Sequence, residues 1–381
     1  MIAAVIHVVG ETRSFERAEL TLRHVLGHAP SPKTIERLAH QVGGELAALH
    51  AIQAAEKEVV VPAVAVVSCD GGRIRTRAAN ARPGVHDAAW RETKNSSFER
   101  MSAPAIVKTD PCPQLPETFR RVAHVAQIAE MAAFSGVSSG ASDETSETSR
   151  AIYEGPERVL RTCVSSMACS DDFGEQMHRE AQRRRFGEAG RRVFIGDGLP
   201  WNWSIWQKHF KTFTPILDFI HAIQYLYAVA AAWETDGSAR WARYLDLAEA
   251  VWQGRVDEVV SAIRSELINR GVAEADVLPE EHPLRPLANA ARYFTNNRDR
   301  MDYPRYRRQG LPITSSPMES LIKQINQRVK GTEMFWLQPV GAEAILQIRA
   351  ASLSEDGRLQ DYLSRRPGYP FTRRPPLALA S

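Results

Sequence analysis

Three acidic residues stand where metal-assisted phosphoryl chemistry would need them. Asp70 follows the β-branched, apolar run VVVPAVAVVSC that begins at Val59, and it precedes Gly71 and Gly72. Asp197 follows the short run Arg192–Ile195 and lies between Gly196 and Gly198. A carboxylate at a strand end beside glycine projects from the rim of a sheet, and the missing side chains let a phosphate backbone come close. Glu319 is in the first turn of a helix introduced by Ser315, Ser316 and Pro317. Phosphoryl transfer without a covalent intermediate uses two divalent ions about 4 Å apart, one activating the attacking oxygen and one stabilising the leaving oxygen. Mg2+ keeps waters and substrate phosphates in its shell, so three carboxylates suffice. Asp70, Asp197 and Glu319 are therefore a candidate catalytic triad and metal-ligand set.

The helix that carries Glu319 is amphipathic. Met318, Leu321, Ile322, Ile325 and Val329 recur at helical spacing as its buried face. At about 100° per residue, Glu319, Lys323, Asn326 and Lys330 share an adjacent stripe, which would put two cations beside a metal-binding acid. The ordinary alternative is an i, i+4 pair of Glu319 with Lys323 on a solvated face, worth roughly 0.2–0.5 kcal/mol. Basic residues cluster at Arg183–Arg185, at Arg298, Arg300, Arg305, Arg307 and Arg308 among Tyr303 and Tyr306, and at Lys323, Arg328 and Lys330. Cations interleaved with aromatics suit a nucleic-acid backbone, the alternative being a solvated basic face. Asp218 and His221, three apart, would share a helical face, either as part of a metal site or as a structural hydrogen bond.

The elements that must position these groups read as an α/β chain with helical additions. Residues 14–26 predict a helix stopped by Gly27, and a second helix opens at Ser31–Pro32 with Ile35, Leu38, Ala39, Val42 and Leu46 on one face. Two helices and a tight turn are compatible with a helix-turn-helix or with a simple helical hairpin. The run from Val59 predicts a central strand ended by Asp70, with Gly71 and Gly72 turning into Arg73–Arg77 as a hairpin and a further strand at Ala88–Thr93. Residues 117–134 predict a helix, 135–149 a Ser/Gly/Thr-rich loop, and 173–189 a charged helix. Thr214–Trp233 is a second apolar segment that continues as a helix. Residues 234–300 read as wholly helical, with Trp241, Tyr244, Leu245, Leu247 and Trp252 marking buried faces. Beyond Ser364 the Arg/Pro/Gly composition predicts a disordered tail.

Composition narrows the class. The chain has 381 residues and a formal net charge of +3, too mild to argue for nucleic acid without the clustering above. Cys69, Cys112, Cys163 and Cys169 are scattered without a Cys-x-x-Cys pair, so neither a zinc ribbon nor a secreted disulfide framework is indicated. The apolar first residues lack a basic start and a cleavage site, and no run approaches the ~20 apolar residues of a membrane span. A soluble, cytoplasmic protein is expected.

The segments CDGGRIR (69–75), GDGLPWNW (196–203), ILDFIH (216–221) and YRRQGLPITSSPMESLIKQINQRVKGTEMFW (306–336) together resemble the ISKra group of insertion-sequence transposases, within the Mutator-like DDE class. The resemblance extends from about Val59 to Tyr362. It implies a ribonuclease H-like core with Asp70, Asp197 and Glu319 as the Asp-Asp-Glu triad, holding two Mg2+ ions with Mn2+ as a substitute. Asp218 and His221 match an accessory pair of the class, to which a role in positioning DNA or the second aspartate's strand is assigned. The resemblance also implies a helical insertion between Asp197 and Glu319, where Trp233, Trp241 and Trp252 either contact DNA or pack the core. Members often carry a longer segment ahead of the first Asp, which leaves a truncation and a late start as the alternatives for the beginning at Met1.

The expected organisation is then 1–57, a helical N-terminal region; 58–233, the first part of the core; 234–300, the insertion; 301–363, the rest of the core; and 364–381, a tail. The expected partners are DNA, as terminal inverted repeats and target, and a second copy of the chain or more. Arg305, Arg307, Arg308, Lys323, Asn326, Arg328 and Lys330 are the candidate DNA contacts in a nucleoid-associated enzyme. The rival expectations are a ribonuclease H-like nuclease or resolvase that only cuts, and a DNA-binding remnant without chemistry.

Overall fold

The computed structural model describes residues 1–52, 59–77, 89–133, 155–273, 277–330, 336 and 338–366. Three helices open the chain: α1 (Ile2–Glu11), α2 (Phe15–Leu26) and α3 (Pro32–Ile52). Ser14 Oγ accepts the Arg17 N–H at 3.1 Å to start α2, and Gly27, at φ +75°, ends it where the sequence predicts. The expected face of α3, from Ile35 to Leu46, is buried.

The central elements follow as β1 (Val64–Thr76), β2 (Ala89–Met101), α4 (Val122–Ala133), β3 (Arg158–Ser166), α5 (Ser170–Arg183), β4 (Arg191–Gly196), α6 (Pro200–His209), β5 (Thr214–Leu217) and α7 (Phe219–Trp233). They build one mixed five-stranded sheet in the order β3-β2-β1-β4-β5. The β1–β2 and β2–β3 pairs are antiparallel, and the β1–β4 and β4–β5 pairs are parallel. The parallel half is covered on both faces, as its continuous apolar strands require. Val64, Val66, Val193, Ile195 and Ile216 face the cluster that includes α7, whereas Ala65, Val67, Cys69 and Phe194 face Phe173, Met177, Ile205 and Phe210 of α5 and α6 and their flank.

Four more helices, α8 (Gly237–Trp252), α9 (Val256–Asn269), α10 (Arg285–Asn297) and α11 (Tyr303–Arg308), share the α7 cluster through Tyr244, Trp252, Ile263, Phe294 and Tyr306. The final three are α12 (Ser316–Val329), α13 (Pro339–Leu353) and α14 (Arg358–Arg365). Their apolar faces join those of α1–α3 in a separate cluster that includes Val5, Leu22, Val42, Leu321, Ile325 and Ile345. At Gly43 of α3 an added Cβ would lie 2.3 Å from the Ala344 carbonyl oxygen, so glycine is what lets α3 and α13 approach backbone to backbone. The protein is thus α/β, and among the described residues no helix is long and apolar enough to cross a membrane.

Several expectations need correction. Asp70 does not end its strand. β1 runs through Gly71 and Gly72 to Thr76, pairing with β2 along its whole length. A Cβ at Gly72 would come within 2.7 Å of Thr93 Oγ1, so this glycine permits close cross-strand approach rather than a turn. The further strand placed at Ala88–Thr93 extends to Met101 as β2, with Ala88 itself outside the described residues. The helix read over 117–134 is a 3-10 turn at Glu117–Arg120 followed by α4. That over 173–189 begins earlier, at Ser170, and stops at Arg183, two residues before Arg185 takes a left-handed backbone (φ 55°). Residues 234–300 are not wholly helical, because 277–284 form turns between α9 and α10. Helix α14 continues through Arg365, past the expected start of the tail. The expected loop at 135–149 and the tail from 367 onward lie outside the described residues.

Candidate functional site

Three aspartates line up across the C-terminal ends of the parallel strands. Cys69 of β1 pairs with Gly196 of β4, and Gly196 pairs with Leu217 of β5. Asp70, Asp197 and Asp218 each lie one residue beyond this common level, and the Asp218 N–H donates to the Gly196 carbonyl at 2.9 Å. At Asp70, β1 leaves β4 behind while staying paired with β2, so the carboxylate stands at the step in the sheet.

The loop after β4 is shaped around Asp197. Its Oδ1 accepts the Leu199 N–H at 2.8 Å and also the Asn202 amide from the start of α6. Gly198 adopts φ +97°, and a Cβ there would come within 2.5 Å of the Tyr293 ring, so only glycine fits. Tyr293 of α10 donates its hydroxyl to the Asp197 carbonyl at 2.7 Å and stacks on Tyr225 of α7 with centroids 3.8 Å apart. The helices between Asp197 and Glu319 therefore support the backbone of the second aspartate directly.

Asp218 is fully buried and joins two helix starts. Its Oδ1 accepts the Ile220 N–H at 3.1 Å, capping α7, and the Ser315 N–H at 3.2 Å, immediately before α12. Its Oδ2 accepts the Ser315 hydroxyl and lies 3.9 Å from His221 Nε2. His221 Nδ1 is 3.0 Å from Gln224 Oε1. The Asp218/His221 pair thus ties β5 and α7 to the start of the helix that bears Glu319. Glu319 lies in the first turn of α12, but its side chain is outside the described residues. Met318, Leu321, Ile325 and Val329 are buried as expected, whereas Ile322 is half-buried.

Electrostatically the site gathers three carboxylates, with His221 opposing them among the described residues. Burial pushes the Asp70 carboxyl up to about 7, opposed by His221 and the Gly71 N–H and reinforced by the charges of Asp197 and Asp218. Asp197 is raised as well, by burial first and the Asp218 charge, with His221, the Leu199 N–H and the Asn202 amide opposing. The adjacent Cys69 thiol is driven well above its ordinary value by the same burial and the two aspartates, which leaves it inert.

Sequence reasoning missed Asn95. It is the cross-strand partner of Asp70 on β2, fully buried, with Oδ1 accepting the Ser165 hydroxyl at 2.6 Å and Nδ2 without a partner among the described residues. The alternation of β2 could have flagged a polar residue on the inward face, but only with the strand register known.

The candidate DNA contacts separate into two groups. Arg307 is 1% exposed, donates to both Asp110 oxygens and to the Trp252 carbonyl at 3.0 Å, and lies over the Trp252 ring at 4.1 Å. Arg328 is 2% exposed, donates to the Val9 carbonyl at 2.9 Å and the Arg13 carbonyl at 3.3 Å, and lies over Phe15. Both are internal ties rather than backbone contacts, a correction that follows from their burial. Arg305 is exposed and pairs with Asp302, Lys323 is exposed, and Arg308, Asn326 and Lys330 are half-buried. Trp252 is core, its indole N–H donating to the Cys112 carbonyl at 2.8 Å. Trp233 and Trp241 are half-buried, beneath Arg243 and against Tyr244 respectively.

No protein-family model matches the chain, and no curated protein matches it in sequence. Among the described residues, which leave out the Glu319 side chain, no three His, Cys, Asp or Glu side chains cluster as a metal site.

Proposed function

We propose that this chain is an insertion-sequence transposase of the ISKra type, cutting and joining DNA on a ribonuclease H-like core with Asp70, Asp197 and Glu319. The observation that carries the reading is the pair of half-buried carboxylates at one level of adjacent strands, both raised by desolvation and by neighbouring aspartates, with His221 opposing the two shifts. Desolvated carboxylates without a compensating cation are costly. A divalent cation is the partner that their hard oxygen donors fit.

Asp70 and Asp197 would hold the Mg2+, with Glu319 completing the set from α12. When bound, two such ions supply the charge that activates an attacking oxygen and stabilises the leaving oxygen of a phosphodiester. The residues around them orient. Gly198 and Tyr293 fix the Asp197 loop, and Asp218 fixes the start of α12 through Ser315. Lys323 and Asn326 follow Glu319 at helical spacing on α12, with Lys330 just past its end, and these would steady the DNA strand that Glu319 approaches, with Arg305 and Arg308 further along the backbone. Pairing two element ends calls for a dimer or larger assembly.

The test is a joining assay: labelled DNA carrying the element's ends, unlabelled target DNA, Mg2+ and the purified chain. Joined products that vanish in Asp70→Asn are expected. Clean cutting without joining would replace the transposase with a nuclease, and no cutting at all would leave only a DNA-binding protein. Terminal inverted repeats bracketed by a short direct duplication in the flanking DNA would support transposition independently.

A further inference from the structure

The sheet does not end at the carboxylates. Where β4 stops at Gly196, β1 and β2 continue together, and the pairs Gly71–Lys94, Arg73–Glu92 and Arg75–Trp90 form a two-stranded arm leading away from Asp70. Five residues at about 3.3 Å each carry it roughly 17 Å from Asp70 to Arg75. The arm is anchored. Ile74, Thr76 and Thr93 are buried on one face, Ile74 in the cluster that includes Leu321 and Ile325 of α12. The Arg75 carbonyl accepts the Trp336 N–H at 2.9 Å.

The other face takes the alternate residues, Gly71, Arg73 and Arg75 from β1 with Lys94, Glu92 and Trp90 opposite them. At its root Lys94 is buried 5.7 Å over the ring of Trp201, which follows the Asp197 loop. Further out Arg73 is exposed, Trp90 is 41% exposed, and the Arg75 guanidinium lies 4.8 Å over the Trp90 ring. Charge is one-sided. Within 71–77 and 89–94 Glu92 is the single acid beside Arg73, Arg75, Arg77, Arg91 and Lys94, and Lys94 takes it at 2.8 Å. That excess exceeds the net +3 of the whole chain. Burial and the Arg75 charge also lower the Lys330 ammonium below its ordinary value, so the end of α12 brings another cation to the arm. One exposed apolar residue is ordinary, but an indole set among guanidinium groups beside a carboxylate site has the composition of a base-stacking platform.

We propose that the outward face of this arm carries one unpaired strand of DNA away from the aspartates, with its phosphates against Arg73 and Arg75 and a base stacked on Trp90. The inference rests on the reading of the aspartates as a DNA-cutting centre and adds the form of the DNA beside them. A duplex hides the faces of its bases, whereas every unpaired base offers one to an indole, so stacking selects a strand that has left its partner. Gly71 suits the path. Among the described residues an added Cβ there would meet only Glu92 Oε1, at 3.6 Å, so the surface next to Asp70 is open to a nucleic-acid backbone.

The experiment measures, by fluorescence anisotropy without Mg2+, the affinity of the full chain for a labelled oligothymidylate and for a duplex of the same length. Trp90→Ala should weaken oligothymidylate binding about tenfold, the stacking of one base, and duplex binding by less than about twofold, with Trp90→Phe restoring most of the loss. Arg73→Ala should lower the slope of log affinity for the single strand against log salt by about 0.7, one phosphate contact. Both positions are exposed, so Tm should stay at the wild-type value in each variant. Equal oligothymidylate affinity in wild type and Trp90→Ala, or parallel losses on strand and duplex, would overturn the arm as a strand track. Mg2+-dependent cutting that vanishes in Asp70→Asn would then still stand by itself, whereas a wild-type chain that binds neither form of DNA would overturn both readings.

Discussion

Two acid clusters in this molecule have opposite electrostatics. Glu180 is fully buried yet held well below the usual carboxylate range, because Arg358, His50, Arg183 and Arg184 surround it and the Thr162 hydroxyl donates at 2.6 Å. Asp70 and Asp197 are half-buried at the sheet rim, and their carboxyls are raised. Burial penalises all three; what differs is whether cations from the same chain repay the penalty. A compensated carboxylate is finished structure. A pair raised by its neighbours' charges is where an added cation would be most favourable, and on the proposed reading that contrast separates a fold-holding cluster from a metal site.

The largest expected effects test the two clusters against each other. Asp197→Asn should lower Mg2+-dependent cutting about a thousandfold, ~4 kcal/mol of transition-state stabilisation, while leaving the denaturation midpoint equal or higher. Glu180→Gln should do the reverse, costing about 3–5 kcal/mol of stability by urea titration because arginines are left buried and unpaired. A catalytic loss from Glu180→Gln that persists under conditions where the variant is fully folded would erase the distinction.

Acidity should sharpen it. Asp70 has a folded-state pKa raised to about 7, above its unfolded value, so the folded chain binds the proton more tightly. Its contribution is fully present below about pH 4 and is lost as pH rises through about 7, an upper bound of ~4 kcal/mol for a gap of roughly 3 units. Glu180, with a lowered pKa, contributes above its unfolded value and loses that as pH falls through its folded one. The metal-free chain should therefore lose stability between about pH 4 and 7. Asp70→Asn should flatten that slope, and Mg2+ should raise Tm more at pH 8 than at pH 5. A slope identical in wild type and Asp70→Asn would remove Asp70 as its source.

A smaller effect is expected where Asp218 meets α12. Ser315→Ala removes the hydroxyl that donates to Asp218 Oδ2 while keeping the backbone N–H bond at 3.2 Å. The expected stability loss is about 1–2 kcal/mol, with cutting reduced roughly tenfold in kcat and little change in KM. A change confined to KM would mean that Asp218 does not position the helix.

Much of this was readable from the sequence where local pattern sufficed. The β-branched run before Asp70, the glycines around Asp197, the apolar face of α3 and most of that of α12 all mark elements that occur where expected. The unread parts depend on distant partners. Both faces of β3 bury polar groups, Arg161 and Ser165 on one and Thr162 on the other, served by Glu355, Asn95 and Glu180, so no apolar alternation announced it as a strand. Gly71 and Gly72 looked like a turn because a glycine pair signals flexibility, whereas the crowding by Thr93 appears only once β2 is in place. Arg307 and Arg328 looked like DNA contacts because Asp110 and the Val9 carbonyl, which hold them, are far away in the chain.

That last confusion yields the smallest expected effect, and it extends the comparison of the two acid clusters to cations. Arg305 is exposed, so in Arg305→Ala the slope of log affinity for duplex DNA against log salt should fall by about 0.9, one phosphate contact, with only a few-fold loss at fixed salt. Lys323→Ala should behave alike. Arg307→Ala and Arg328→Ala should leave that slope unchanged and instead lower the urea midpoint, because both guanidinium groups are buried and tied to acceptors inside the fold. If Arg307→Ala reduced the salt slope while the protein stayed folded, burial would not be what divides structural cations from binding ones, and the same rule applied to Glu180 and Asp70 would lose its footing.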